Sequence, residues 1–434
     1  MPSMKSIYFL AGAAVLSLAV ASCQSGSTTA GTATSLLNPP RSPSPQSTSR
    51  IRSATLRATT PTSTIQPSPT AVRNYGLSLV SAIDQTQPDF APPASMPPGS
   101  DPGLARDVLS EGEYLYVVQG AQGPSQTAWG RLSLVNIADP EKPTLISTIP
   151  VERTATDLIK VGNNIIFTDS QCEFGWARCI GDLYLVDVSD PVSPKLTASF
   201  SLDDLEKANP SPNDPSSDLS WYASAIAATT SEVVVSGNMY YPYTGQNVPC
   251  GLRTFKWSSS SFTPMGFLTC SGAHSPWVAR DILVNDHTIF AAADESGIVK
   301  VDISSPDSPK QLGTLAVDGG AWSIEKQSEY LYVANAGSGF SILSDQDAGS
   351  PTVLSATDVG CTVVDVAESD GLAAVACVDG PTFLYDVHDP AKPRQLDSYS
   401  TGGRAYATAR DGDLVIIADL EKGIVILKIM VATD

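Results

Sequence analysis

The stretch LYLVDVSDPVSPKLTASF, residues 183–200, decides the architecture. A strand-forming run, Leu183 to Val188, meets Asp190-Pro191, and Pro194 opens a second run. Asp before Pro marks a turn, because the Asp side chain accepts a backbone N–H two residues on and Pro presets φ. The same pattern returns as LSLVNIADPEKPTLISTI (132–149), IVKVDISSPDSPKQLGTL (298–315), GFSILSDQDAGSPTVLSA (339–356) and TFLYDVHDPAKPRQLDSY (382–399). Short strands recurring at roughly 40–50 residues predict a propeller or a solenoid.

Each of these C–D hairpins follows an A–B hairpin, as in DLIKVGNNIIFTD (157–169), DILVNDHTIFAAAD (281–294) and VVDVAESDGLAAVACVDG (363–380). Turn residues such as Gly-Asn-Asn break the apolar runs. Seven A–B hairpins are expected near residues 107–118, 157–168, 224–236, 281–293, 323–334, 363–378 and 405–418. Pro143, Pro194, Pro264, Pro309, Pro351 and Pro393 open strand D. Proline is tolerated at a sheet edge or a strand start, so strand D is the outer edge. The seventh unit ends after its strand C, Gly423 to Ile429, and Tyr75 to Ile83 has the alternation of a D strand. Pairing those two segments closes a ring and protects its edges. The predicted fold is all-β: a seven-bladed β-propeller of four-stranded antiparallel blades over residues 74–434, closed by its N-terminal strand.

The repeat resembles the LVIVD-repeat family of bacterial and archaeal surface β-propellers. The likeness lies in Leu134-Val135-Asn136-Ile137-Ala138-Asp139-Pro140 and Leu185-Val186-Asp187-Val188-Ser189-Asp190-Pro191, with Val301-Asp302-Ile303 and Tyr385-Asp386-Val387-His388-Asp389-Pro390 continuing it. It covers about four blades; the third (Arg253 to Phe267) and the seventh depart from it. It implies the propeller and a surface location, and no shared catalytic motif, since fold does not imply function.

Residues 1–22 read as a signal peptide, with Lys5 before an apolar Tyr8–Val20. That run is too short for a transmembrane helix. The segment ends Val20-Ala21-Ser22-Cys23, which resembles the lipobox of bacterial lipoproteins. The resemblance implies lipid on Cys23 and anchoring to the bacterial cell envelope, with the outer membrane as destination where the cell has one, because Gln24 rather than Asp follows. Residues 23–73 are rich in Ser, Thr, Pro and Ala, a composition expected of a disordered tether. The tether has five Arg and no Asp or Glu. Residues 74–434 therefore carry 20 of the 26 basic residues against all 45 acidic ones, a net charge of −25. A basic tether under an acidic head suits an anionic lipid surface, and an acidic head without a basic stripe excludes nucleic acid as the partner.

Apart from Cys23 the cysteines form three local pairs, Cys172 with Cys179, Cys250 with Cys270 and Cys361 with Cys377. An even count in an exported chain reads as disulfides, and this is one of 15 connectivities. Their spacing does not suit zinc.

Two candidate sites lie where strands A begin and strands B end. Asp107, Asp157, Asp281 and Asp365 start strand A, and Asp169, Asp294, Asp379 and Asp419 end strand B. The pairs Asp157/Asp169, Asp281/Asp294 and Asp365/Asp379 offer hard oxygen ligands for Ca²⁺, or caps for the loops. No calcium-loop motif is present. The second candidate is the set of long B–C loops in blades one to three, Gly120–Arg131, Ser170–Gly181 and Asn238–Arg253. They carry Trp129, Phe174, Trp176, Tyr240, Tyr241 and Tyr243, aromatics suited to a protein or glycan surface. His274, His287 and His388 do not converge, and GxSxG, HExxH and P-loop motifs are missing, so no catalytic residue is assigned. The expectation is a binding module more than an enzyme; the alternatives are an exported hydrolase or lyase on the Asp pairs, or a passive scaffold.

Overall fold

A computed structural model describes residues 75–84, 104–121, 129–172, 179–202, 220–240, 247–269, 279–345 and 351–431. Its 28 strands form seven four-stranded antiparallel sheets. After β1 (Tyr75–Ile83), blade one holds β2 (Leu104–Glu111), β3 (Tyr114–Ala121), β4 (Trp129–Asn136) and β5 (Thr144–Val151). Blade two holds β6 (Thr154–Val161), β7 (Asn164–Cys172), β8 (Cys179–Asp187) and β9 (Lys195–Ser201). Blade three holds β10 (Ser220–Ala228), β11 (Glu232–Tyr240), β12 (Asn247–Ser258) and β13 (Ser261–Thr269). Blade four holds β14 (Asp281–Asn285), β15 (Thr288–Ala292), β16 (Ile298–Asp302) and β17 (Lys310–Leu315). Blade five holds β18 (Ser323–Gln327), β19 (Tyr330–Ala334), β20 (Phe340–Ser344) and β21 (Thr352–Thr357). Blade six holds β22 (Val363–Ser369), β23 (Leu372–Cys377), β24 (Thr382–Asp386) and β25 (Arg394–Tyr399). Blade seven holds β26 (Ala405–Asp411), β27 (Leu414–Asp419) and β28 (Gly423–Val431), completed by β1 in the order β1-β28-β27-β26. Tyr75 pairs with Val431 and Ile83 with Ile424, which is the expected closure.

The core is seven hydrophobic clusters, one at each seam between neighbouring blades. Leu115 and Val117 face blade seven, while the alternate residues Tyr116 and Val118 face blade two. Both faces of strand β3 are therefore buried, and the middle strands read as unbroken apolar runs because they lie between two seams. The D strands are edges and largely half-exposed or exposed. Five of the six prolines stand just before their strand; Pro264 lies inside β13, beside a register shift, where an edge strand tolerates it.

The Asp-Pro turns form as the sequence predicts. The Asp139 carboxylate accepts Glu141 N (3.1 Å), Asp190 accepts Val192 N (3.2 Å) and Asp389 accepts Ala391 N (3.2 Å). Each of these turns also reaches the preceding blade of the ring. The hydroxyls of Ser81, Ser147 and Ser355 donate to the carbonyls of Pro140 (2.7 Å), Pro191 (2.8 Å) and Pro390 (2.7 Å). From blade three the donor is instead Thr254 on strand C, to Pro306 O in the blade-four turn (2.5 Å).

The B–C ends differ around the ring. In blades four and five, strands B and C are five residues each and are joined by tight turns in which Gly297 (φ 75°) and Gly339 (φ 86°) are left-handed. At Gly339 a Cβ would fall against the carbonyl oxygen of Thr357, so only glycine fits. In blades two and three the corresponding strands run nine to twelve residues. Part of each long loop expected from the sequence is thus strand.

Candidate site at the channel mouth

At the start of every strand A, or just before it, stand a small residue, a variable residue X, then usually Asp: Ala105-Arg106-Asp107, Ala155-Thr156-Asp157, Ala223-Ser224-Ala225, Ala279-Arg280-Asp281, Ala321-Trp322-Ser323, Val363-Val364-Asp365 and Ala405-Tyr406-Ala407. In five blades the A–B register shifts at this triplet, between Ala105 and Asp107, Ala155 and Asp157, Ala223 and Ala225, Val363 and Asp365, and Ala405 and Ala407. A bulge leaves its extra residue unpaired and re-aims the side chain. All seven X residues, with Asp107, Asp157, Asp281 and Asp365, line one cavity of about 130 Å³.

The strand-A carboxylates do not face that cavity as free ligands. Each is buried, and each joins its own blade to at least one neighbour. Asp107 Oδ1 accepts Val108 N (2.9 Å) and Oδ2 accepts Leu158 N of blade two (3.2 Å). Asp157 accepts Leu158 N (2.8 Å) and Ile226 N of blade three (2.8 Å). Asp281 accepts Ile282 N (2.8 Å) and Ile324 N of blade five (3.0 Å). Asp365 accepts Val366 N (3.0 Å), Thr408 N of blade seven (2.7 Å) and the Ser323 hydroxyl of blade five (2.5 Å).

The strand-B carboxylates have other partners, so the three expected Asp pairs resolve into separate networks. Asp169 is fully buried and accepts Asp182 N (2.9 Å) and the Tyr184 hydroxyl (2.9 Å), with Arg153 Nη1 at 3.5 Å. Burial pushes its carboxyl up to about 7, against the pull of Arg153. Asp294, left-handed at φ 48°, accepts both Nε (2.9 Å) and Nη2 (2.7 Å) of Arg280 on one oxygen and Trp322 Nε1 (3.2 Å) on the other. Asp379 accepts the N–H (2.7 Å) and hydroxyl (2.9 Å) of Thr362, and the Thr362 N–H holds its carboxyl below the usual range. Asp419 is buried on Thr401 (2.5 Å), Glu421 N (2.9 Å) and Lys422 N (2.8 Å). Among the described residues no three His, Cys, Asp or Glu are gathered as a metal site. At Asp157, Asp281 and Asp365 a Ca²⁺ ion would share the carboxylate with inter-blade backbone N–H groups.

The aromatic candidates separate in the same way. Trp129 is 1 % exposed, with Arg131 stacked over its ring at 5.1 Å, so it orders the start of β4 and cannot meet a ligand at the surface. Phe174, Trp176, Tyr241 and Tyr243 lie outside the described residues, and Tyr240 closes β11. Two other aromatics stand at the channel mouth, and the sequence reading did not single them out. The Arg106 guanidinium lies 5.4 Å over the Tyr406 ring, and the Arg280 guanidinium 4.3 Å over the Trp322 ring. Each arginine thus leans on the X residue of an adjacent blade. Ala-X-Asp finds Arg106 and Arg280, and only alignment of the repeat places Trp322 and Tyr406, in Ala-Trp-Ser and Ala-Tyr-Ala, at the same position.

Cys361 and Cys377 form a disulfide with Cα atoms 6.0 Å apart, tying the start of strand A to the end of strand B in blade six. Cys172 and Cys179 are register partners across β7 and β8. Cys250 lies in β12, one residue before the Gly251–Thr269 pair, and Cys270 lies outside the described residues, as does Cys23. His287 and His388 occupy an A–B and a C–D turn at the end opposite the cavity; His274 lies outside the described residues.

Residues 178–201 match the LVIVD repeat family model. That span is strand C, the Asp-Pro turn and strand D of blade two, the same stretch that decides the fold. No curated protein matches the chain.

Proposed function

We propose that this chain is an exported, lipid-anchored, non-catalytic binding module that holds a protein or glycan at the B–C end of its propeller. The observation that carries this reading is the division of labour at the channel mouth. The repeated carboxylates, which a hydrolase or lyase would need, have their oxygens committed to backbone N–H groups of two blades. The side chains between them, Arg106, Arg280, Trp322 and Tyr406, vary from blade to blade and are of the types enriched in recognition surfaces. The strands B and C of blades two and three are long at this same end, and the sequence between them carries Trp176 and Tyr241. Val20-Ala21-Ser22-Cys23 and the basic tether support anchoring at the cell envelope, with the acidic head held away from lipid.

The test is capture from native envelope and extracellular extract by the mature chain, beside a chain with residues 122–128, 173–178 and 241–246 shortened. A specific protein or glycan held by the first and lost from the second is the expected result. Equal capture by both, or turnover abolished by Asp157→Asn with an unchanged thermal midpoint, would overturn the reading.

A further inference from the structure

The two arginines of the channel mouth are equivalent in the repeat and different in their surroundings. Arg280 is neutralised by Asp294 on both Nε and Nη2. Arg106 has no carboxylate within ion-pair distance among the described residues, and its buried Nε has no hydrogen-bond partner there. Tyr406 supports the plane of its guanidinium and supplies no acceptor to its edge. A partly buried guanidinium without an acceptor is costly, and the missing group is one that bonds it edge-on. Among the described residues the neighbouring hydroxyls do not accept from it: that of Thr156 is bonded with Thr168 (2.8 Å) and that of Ser224 donates to Ala279 O (2.8 Å).

We propose that the channel mouth binds a singly charged carboxylate, held by Arg106 over the Tyr406 ring. The cavity of about 130 Å³ sets the size of what enters. An engineered cavity of about 150 Å³ holds benzene, so a carboxylate with a few attached heavy atoms fits while the rest of the ligand projects outward. Charge selects among candidates. Of the two guanidiniums only Arg106 has no ion pair among the described residues, so it balances a single negative charge, whereas a dianion such as phosphate would keep an excess of charge above the four buried carboxylates Asp107, Asp157, Asp281 and Asp365. A monoanion bonded to Arg106 has its charge balanced there and is repelled by those carboxylates less than a dianion is. This inference rests on reading the B–C end as the binding face, and it names the chemical group recognised there.

The experiment is titration calorimetry of the full chain at low ionic strength with acetate, D-glucuronate and inorganic phosphate. The expected result is saturable one-to-one binding of the carboxylates, phosphate weaker, and a loss of about tenfold or more in Arg106→Gln, whose melting curve reports that it is folded. Where Arg106→Gln does not fold, Tyr406→Ala removes the exposed supporting ring and is expected to weaken binding severalfold. Absence of saturable carboxylate binding, tighter binding of phosphate, or unchanged affinity in the folded variants overturns the proposal. Capture of an envelope ligand by a chain that binds no carboxylate sinks this inference alone. Carboxylate binding with no macromolecule captured sinks the module reading and leaves the site.

Discussion

The blades are tied together at two radii, and the ties are built differently. At the channel, a buried carboxylate accepts its own blade's N–H and one from the next blade, as Asp365 does with Val366 N and Thr408 N. On the outer rim, a hydroxyl donates to a proline carbonyl, as Ser147 does to Pro191 O in a part-buried position. The inner tie takes a charge out of water and depends on all its donors; the outer tie is neutral and near water that can replace it. Both recur because the fold recurs, so repetition alone does not distinguish a structural carboxylate from a ligand. Blades three and seven carry Ala225 and Ala407 at the inner position, so the ring closes without a carboxylate in every blade.

The comparison predicts unequal costs. Asp365→Ala strands two buried N–H groups and the Ser323 hydroxyl, each worth ~1–3 kcal/mol, so a loss of about 4 kcal/mol is expected in denaturant unfolding. A loss below about 1 kcal/mol would erase the distinction between inner and outer ties. Cys377→Ser opens the loop of sequence separation 16 and is expected to cost about 3 kcal/mol against the oxidised native protein, with reduced native protein expected to match the variant. Asp169 tests a third kind of buried carboxylate, one that bonds within its own blade. Its folded pKa of about 7 lies above the unfolded ~3.9, so its stabilising contribution is full below pH ~4 and is lost as pH rises through about 7. Asp169→Asn should flatten the stability–pH curve across that window, and an unaltered slope counts against the assignment. Ser147→Ala, on the rim, should cost only about 1 kcal/mol.

Much of this ring is legible in the sequence because its signals are local. The Asp139, Asp190 and Asp389 turns form as their chemistry dictates, and Tyr75–Ile83 finds β28 because an unpaired edge strand and a three-stranded blade complete each other. The site is less legible. Pairing Asp157 with Asp169 assumes that recurrence at one end of a blade means convergence, but the bulge at Ala155/Asp157 turns Asp157 into the seam while Asp169 faces Tyr184. Trp129 reads as a loop aromatic because the end of a strand is not marked, whereas β4 begins at Trp129 and buries it.

What the sequence determines by itself is the number of blades, the order of their strands, the outer edge and the closing strand, since each follows from turn chemistry and a period of two. Only the tertiary structure decides which side chains meet across a seam. Arg106 and Tyr406 are 300 residues apart in the chain and stack because closing the ring makes blades one and seven neighbours. Whether Arg106 or Arg280 is left without an acid depends on a single left-handed residue, Asp294, in one short turn, and no local pattern around Arg106 records that difference.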